Sequence, residues 1–161
     1  MSKNLNEAAR GSVFVGMEAL AKVIVERVAE GQSVELPPRG ISMLPLIREG
    51  RDSVILSPAP RHLKKYDIPL YRRENGSYVL HRVVGRRGGA YVMCGDNQYV
   101  KEYGITDGQI IAVVTSIRRA GREFGVKNPI YRLYVILWCL SRPVRYFIIR
   151  VLRKIKRIFK I

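Results

Sequence analysis

Ile68-Pro69-Leu70-Tyr71-Arg72-Arg73-Glu74-Asn75-Gly76-Ser77-Tyr78-Val79-Leu80-His81-Arg82-Val83-Val84 sets two runs rich in apolar and aromatic residues on either side of an Asn-Gly pair. Asn and Gly tolerate the positive φ that a tight hairpin needs, so residues 68–71 and 78–84 are predicted as antiparallel strands, with His81 presented on the second. Similar short runs occur at 33–36, 53–56, 90–94 and 109–117, punctuated by Pro58-Ala59-Pro60 and Gly88-Gly89. Residues 33–126 are therefore expected to form a mainly β domain of coiled, curved sheets.

The flanks follow a different period. Over residues 5–30, Val13, Met17, Leu20, Ala21, Ile24 and Val28 recur at helical spacing, Asn4 and Glu7 suit a capping box, and Gly31 suits a stop. Glu18, Lys22, Glu26 and Arg27 interrupt any apolar run, so this is an amphipathic N-terminal helix (1–32) and not a secretory signal peptide. It is also too short for a complete helix-turn-helix domain. After Asn128-Pro129 the chain is apolar and aromatic over 133–140, and Ser141 and Pro143 mark a new helix start. Beyond it Val144, Phe147, Ile148, Val151, Leu152, Ile155, Ile158 and Phe159 form one stripe. Arg142, Arg145, Arg150, Arg153, Lys154, Lys156, Arg157 and Lys160 fall between them.

Every window long enough to span a bilayer contains Arg132, Arg142 or Arg145, each costing a few kcal/mol at the bilayer centre. A helix lying in the headgroup region avoids that cost and gains roughly 1 kcal/mol per basic residue against an anionic leaflet. Residues 127–161 are expected to be a basic, membrane-associating tail that holds the protein peripherally on the cytoplasmic face. A helix packed on the protein's own core and a tilted span are the alternatives. Lysine and arginine total 29 against 13 acidic residues, a net charge of +16, which calls for an anionic partner. The regular apolar stripe favours an anionic membrane surface over nucleic acid. Cys94 and Cys139 have neither metal-site nor redox spacing, so reduced thiols are expected, with no metal and no organic cofactor.

Three short segments carry the chemistry. Ser42-Met43-Leu44-Pro45 follows Gly40-Ile41, His81-Arg82 lies about forty residues on, and Gly95-Asp96-Asn97 follows Cys94. A serine hydroxyl becomes a useful nucleophile when a base takes its proton, and an imidazole titrating near 6.5 can do so around neutral pH. In this order the segments resemble the signature boxes of the signal peptidase I superfamily, which also holds the self-cleaving SOS repressors. The resemblance covers roughly residues 33–118. It implies the curved β-sheet core of that superfamily, flanked here by the N-terminal helix and the C-terminal amphipathic helices. A histidine rather than a lysine before the arginine resembles the serine–histidine branch.

On that resemblance Ser42 attacks the scissile carbonyl, His81 accepts its proton, and the Ser42 N–H serves the oxyanion. Met43, Pro45, Arg82, Gly95 and Asn97 belong to the same boxes as supporting residues. The orienting acid has two candidates: Asp96 in the third box, and Glu102, where the branch usually carries an acidic pair. Glu49-Gly50-Arg51-Asp52 departs from the family's Gly-Asp by one extra residue, which affects the turn after the nucleophile. His62, in a proline-bounded loop without such context, is expected to be exposed. The function these features imply is a serine endopeptidase cutting an extended leader or signal segment. A non-catalytic peptide-binding module and a DNA-associated regulator are the rivals.

Overall fold

The computed structural model describes residues 17–159, in which α1 (Met17–Ala29) precedes nine strands and two C-terminal helices. The strands are β1 (Val34–Leu36), β2 (Asp52–Pro58), β3 (Pro69–Arg72), β4 (Tyr78–Leu80), β5 (Arg82–Arg87), β6 (Ala90–Cys94), β7 (Glu102–Ile105), β8 (Ile110–Arg119) and β9 (Arg122–Gly125). The helices α2 (Pro129–Leu140) and α3 (Arg142–Phe159) follow. Of the helix expected over 5–30, residues 5–16 lie outside the described part; from Met17 on it is helical and buries Ala21, Ile24 and Val28.

The architecture is mainly β, as the alternating runs predicted. One antiparallel sheet runs β1-β2-β8-β3-β4 with β9 also paired to β8, and a second runs β5-β6-β7. Register shifts at Ile55/Leu56, Leu70/Tyr71, Val83/Gly85 and Tyr91/Met93 interrupt the ladders. An extra residue on one strand increases local twist and bend, which accounts for curved sheets. Asn75-Gly76 makes the expected turn: Gly76 has φ +83°, and the Asn75 side-chain oxygen accepts from the Ser77 N–H.

The strand expected over 78–84 is corrected by the structure. β4 pairs with β3 in the first sheet and β5 with β6 in the second, so the chain changes sheets at His81. The Val83 backbone is anchored here by the 66–67 segment: Tyr66 N–H donates to Val83 O at 2.8 Å and Val83 N–H to Asp67 O at 2.9 Å. The run 78–84 holds no Gly, Pro or Asn at the switch, so the sequence pattern carries no mark of it. Two strands escaped the pattern altogether. β7 is Glu-Tyr-Gly-Ile with Gly104 at φ +81°, and β9 is a four-residue edge strand, neither long enough to show a period of two.

The boundary placed at residue 127 is not a structural boundary. Asn128 caps α2 by accepting from the N–H groups of Ile130 and Tyr131, with Pro129 in the first turn, where its missing N–H costs nothing. From there α2 buries Tyr131 and Val135 in the same core as Ile24, Val54, Leu56 and Ile117. Each such side chain contributes about 1.5–3 kcal/mol. The other face of α2 turns Ile130, Leu133, Leu137 and Leu140 to solvent, and α3 exposes Val144, Phe147, Ile148 and Val151. Among the described residues no helix is long and apolar enough to cross a membrane.

Candidate active site

The sheet switch determines where the histidine goes. A residue between two sheets is enclosed from both sides, and His81 is 2 % exposed where a strand-face histidine would be solvated. Its Nδ1 lies 2.9 Å from Glu102 Oε1 and 3.3 Å from the Tyr71 hydroxyl. The Tyr71 hydroxyl donates to Glu102 Oε2 at 3.0 Å, and Arg73 grips the same carboxylate through Nε at 2.8 Å and Nη2 at 2.5 Å. Because Glu102 is an acceptor, this network assigns the proton of neutral His81 to Nδ1 and leaves Nε2 as the basic nitrogen.

The electrostatics favour a neutral imidazole. Burial pushes the His81 pKa below its ordinary value, and Glu102 opposes this only in part. Burial would raise the Glu102 pKa, but hydrogen bonds from Arg73 and Tyr71 and the charge nearby outweigh it, so the carboxylate is held ionised. A neutral base beside a fixed carboxylate results.

Asp96 does something else. Arg82 donates to it through Nε at 2.7 Å and Nη2 at 2.6 Å, and both side chains are 1 % exposed. Arg82 Nη1 reaches the Tyr66 carbonyl at 2.9 Å and the Tyr131 hydroxyl at 3.3 Å, while Trp138 Nε1 donates to the Asp96 carbonyl at 3.1 Å. Of the two candidate acids, Glu102 is the one against His81, and Asp96 belongs to a buried ion pair that ties α2 to the second sheet.

The serine loop is held by the third box. Ser42 O accepts the Asn97 N–H at 2.8 Å, and the Asn97 side chain donates to Ile41 O at 3.2 Å. A Cβ on Gly95 would lie 2.7 Å from Ser42 O, so only glycine permits this approach. Met43 is buried in the core and anchors the loop, while Pro45, joined to Leu44 by a cis peptide bond, is exposed. The turn at 49–52 that follows the serine loop is held by an ion-pair clasp. Arg51 and Arg119 both bind the buried Asp52, Asp52 accepts the Arg48 N–H at 2.9 Å, and Glu49 accepts the Gly40 N–H at 2.7 Å.

Ser42 is half-buried and lines a cleft of about 130 Å³ with Met43, Tyr78, Val79 and Leu80, the strand that leads into His81. Among the described residues its hydroxyl makes no hydrogen bond to His81 and its N–H donates to no acceptor. His62 is exposed, as expected, 3.4 Å from Asp107. Among the described residues no cluster of His, Cys, Asp and Glu could hold a metal ion.

Two residues of this site were not anticipated: Tyr71 and Arg73. A usable signal existed for the first, because the hairpin register pairs Tyr71 with Val79, two positions before His81 and thus on its face. Compared with family models, with curated proteins and with solved structures, the chain gives no match.

Proposed function

We propose that this chain is a serine endopeptidase of the signal-peptidase type, with Ser42 as nucleophile, His81 as general base and Glu102 orienting the imidazole. The observation that carries the reading is the burial of His81 with Nδ1 on a carboxylate that Tyr71 and Arg73 hold in place. In this reaction His81 Nε2 takes the Ser42 proton as Oγ attacks the scissile carbonyl, and the Ser42 N–H receives the developing oxyanion. His81 then passes the proton to the leaving amine, and water, deprotonated in the same way, hydrolyses the acyl-enzyme. Substrate closure brings Oγ onto the imidazole, since catalytic hydrogen bonds commonly tighten only in the Michaelis complex.

The substrate is an extended segment of a leader or signal peptide. The protein works while lying on an anionic membrane surface, because α3 turns Val144, Phe147, Ile148 and Val151 to solvent. Incubating the full-length protein with leader peptides and reading fragments by mass spectrometry tests the activity. Cleavage by the wild type and none by Ser42→Ala supports it, and fragments that persist in Ser42→Ala overturn it.

A second reading, a peptide-binding module without catalysis, is favoured by the absence of a Ser42–His81 hydrogen bond. In it β4, at the edge of its sheet, accepts a strand from the ligand. A serine-directed acylating inhibitor separates the two, since it labels Ser42 in the peptidase and leaves the binding module unmodified.

A further inference from the structure

Arg142, the first residue of α3, is 9 % exposed, and its Nε and Nη2 are the buried side-chain polar atoms that have no protein partner among the described residues. These are the same two atoms with which Arg82 holds Asp96. That edge of a guanidinium presents two parallel N–H groups, which match the two oxygens of a carboxylate or phosphate. A buried cation without a counter-ion is costly, so the fold carries this arginine at an energetic loss that a bound anion would reverse.

Its surroundings select the anion. Arg142 lines a pocket of about 480 Å³ with Lys65 and Lys101, so three cations and no carboxylate are among its lining side chains. Three positive charges exceed what one carboxylate neutralises and suit a phosphate group. Val84, Val100 and Leu140 make other parts of the lining apolar, and the volume is far larger than a phosphate ion alone requires. We propose that this pocket binds a phosphate group carried on an apolar body, with Arg142 as the bidentate donor and Lys65 and Lys101 as flanking charges. An anionic phospholipid supplies this chemistry, and so does a free phosphate. The proposal does not depend on the peptidase reading, since no pocket residue belongs to the Ser42–His81–Glu102 set.

The test uses the full-length protein and isothermal titration calorimetry with two probes, dihexanoyl phosphatidic acid below its micelle concentration and inorganic phosphate. The wild type is expected to bind phosphatidic acid, with affinity reduced tenfold or more in Arg142→Gln and several-fold in Lys101→Gln. Phosphatidic acid binding more tightly than inorganic phosphate supports the apolar body and assigns the site to lipid, and equal affinities overturn the apolar body and leave a site for the free ion. No binding of either probe by the wild type, or full binding by Arg142→Gln, overturns the proposal. If Arg142→Gln does not retain the near-ultraviolet circular dichroism of the parent, exposed Lys101→Glu decides instead, and unchanged affinity there overturns it.

Discussion

His81 and Glu102 carry predictions that separate catalysis from packing. Ser42→Ala and His81→Ala are each expected to remove nearly all peptidase activity, with the double variant little worse than either, because groups acting as one unit are not additive. Losses that multiply in the double variant would count against a shared dyad. Because burial lowers the His81 pKa, activity should rise with pH along a limb below the ordinary histidine range and be level by neutral pH. Glu102 raises that pKa, so Glu102→Gln should move the limb to still lower pH while reducing kcat by roughly 10²–10⁴-fold. Asp96→Asn should behave differently. It leaves the buried Arg82 short of its counter-charge, a loss of about 3–5 kcal/mol in chemical unfolding. Glu102→Gln, at a half-buried site where the neutral amide still accepts from Arg73 and Tyr71, should cost less in unfolding than Asp96→Asn. A reversal of these two patterns would exchange the roles assigned to the acids.

Elements differ in what they can lose. Gly95→Ala forces a Cβ against the Ser42 carbonyl, so the loop that carries Ser42 must move; on the proposed reading peptidase activity should fall at least tenfold, with native circular dichroism kept. Normal activity in this variant would mean the third box does not position Ser42. Ending the chain at residue 127 removes Tyr131, Val135 and Trp138, and with them part of the core and two contacts to the Arg82–Asp96 pair. That truncation should fail to fold, whereas ending it at residue 141 should leave a folded protein that cuts a short peptide but no longer sediments with anionic vesicles. Replacing Phe147, Ile148 and Val151 by serine should release the full-length protein even at low salt, since the exposed apolar area is lost while the charge remains. Vesicle binding by the serine variant equal to that of the parent would assign the attachment to charge alone.

At the scale of the molecule, the buried titratable groups set the response to acid. Asp52, Glu102 and His81 all have pKa values held below their ordinary 3.8, 4.5 and 6.5. For Asp52, Arg51 and Arg119 overcome a burial effect that acts the other way. The unfolded chain therefore binds more protons than the folded one across this range. Stability is full above the ordinary values and is lost as pH falls through each lower, folded value. The thermal midpoint should accordingly drop from pH 7 to pH 4, and His81→Asn should flatten the upper part of that curve. An unchanged slope in His81→Asn would mean that His81 is not buried in solution.

The chain's linear pattern was enough for the mainly β class, the Asn75-Gly76 hairpin and the helical flanks. Each of these rests on interactions between near neighbours or on a period of two or four residues, which a one-dimensional pattern records. It could not say that the run 78–84 is divided between two sheets at His81, that Glu102 and not Asp96 meets the imidazole, or that α2 belongs to the core. Those outcomes depend on which distant segments exclude water from one another. Glu102 reaches His81 because β7 joins the second sheet through β6, and its charge is fixed by Arg73 from the first. Tyr131 enters the core because Arg82 and the β-sheet offer it both a partner and an apolar wall. Packing across the fold made these choices, since burial is a property of the assembled surfaces and not of any segment alone.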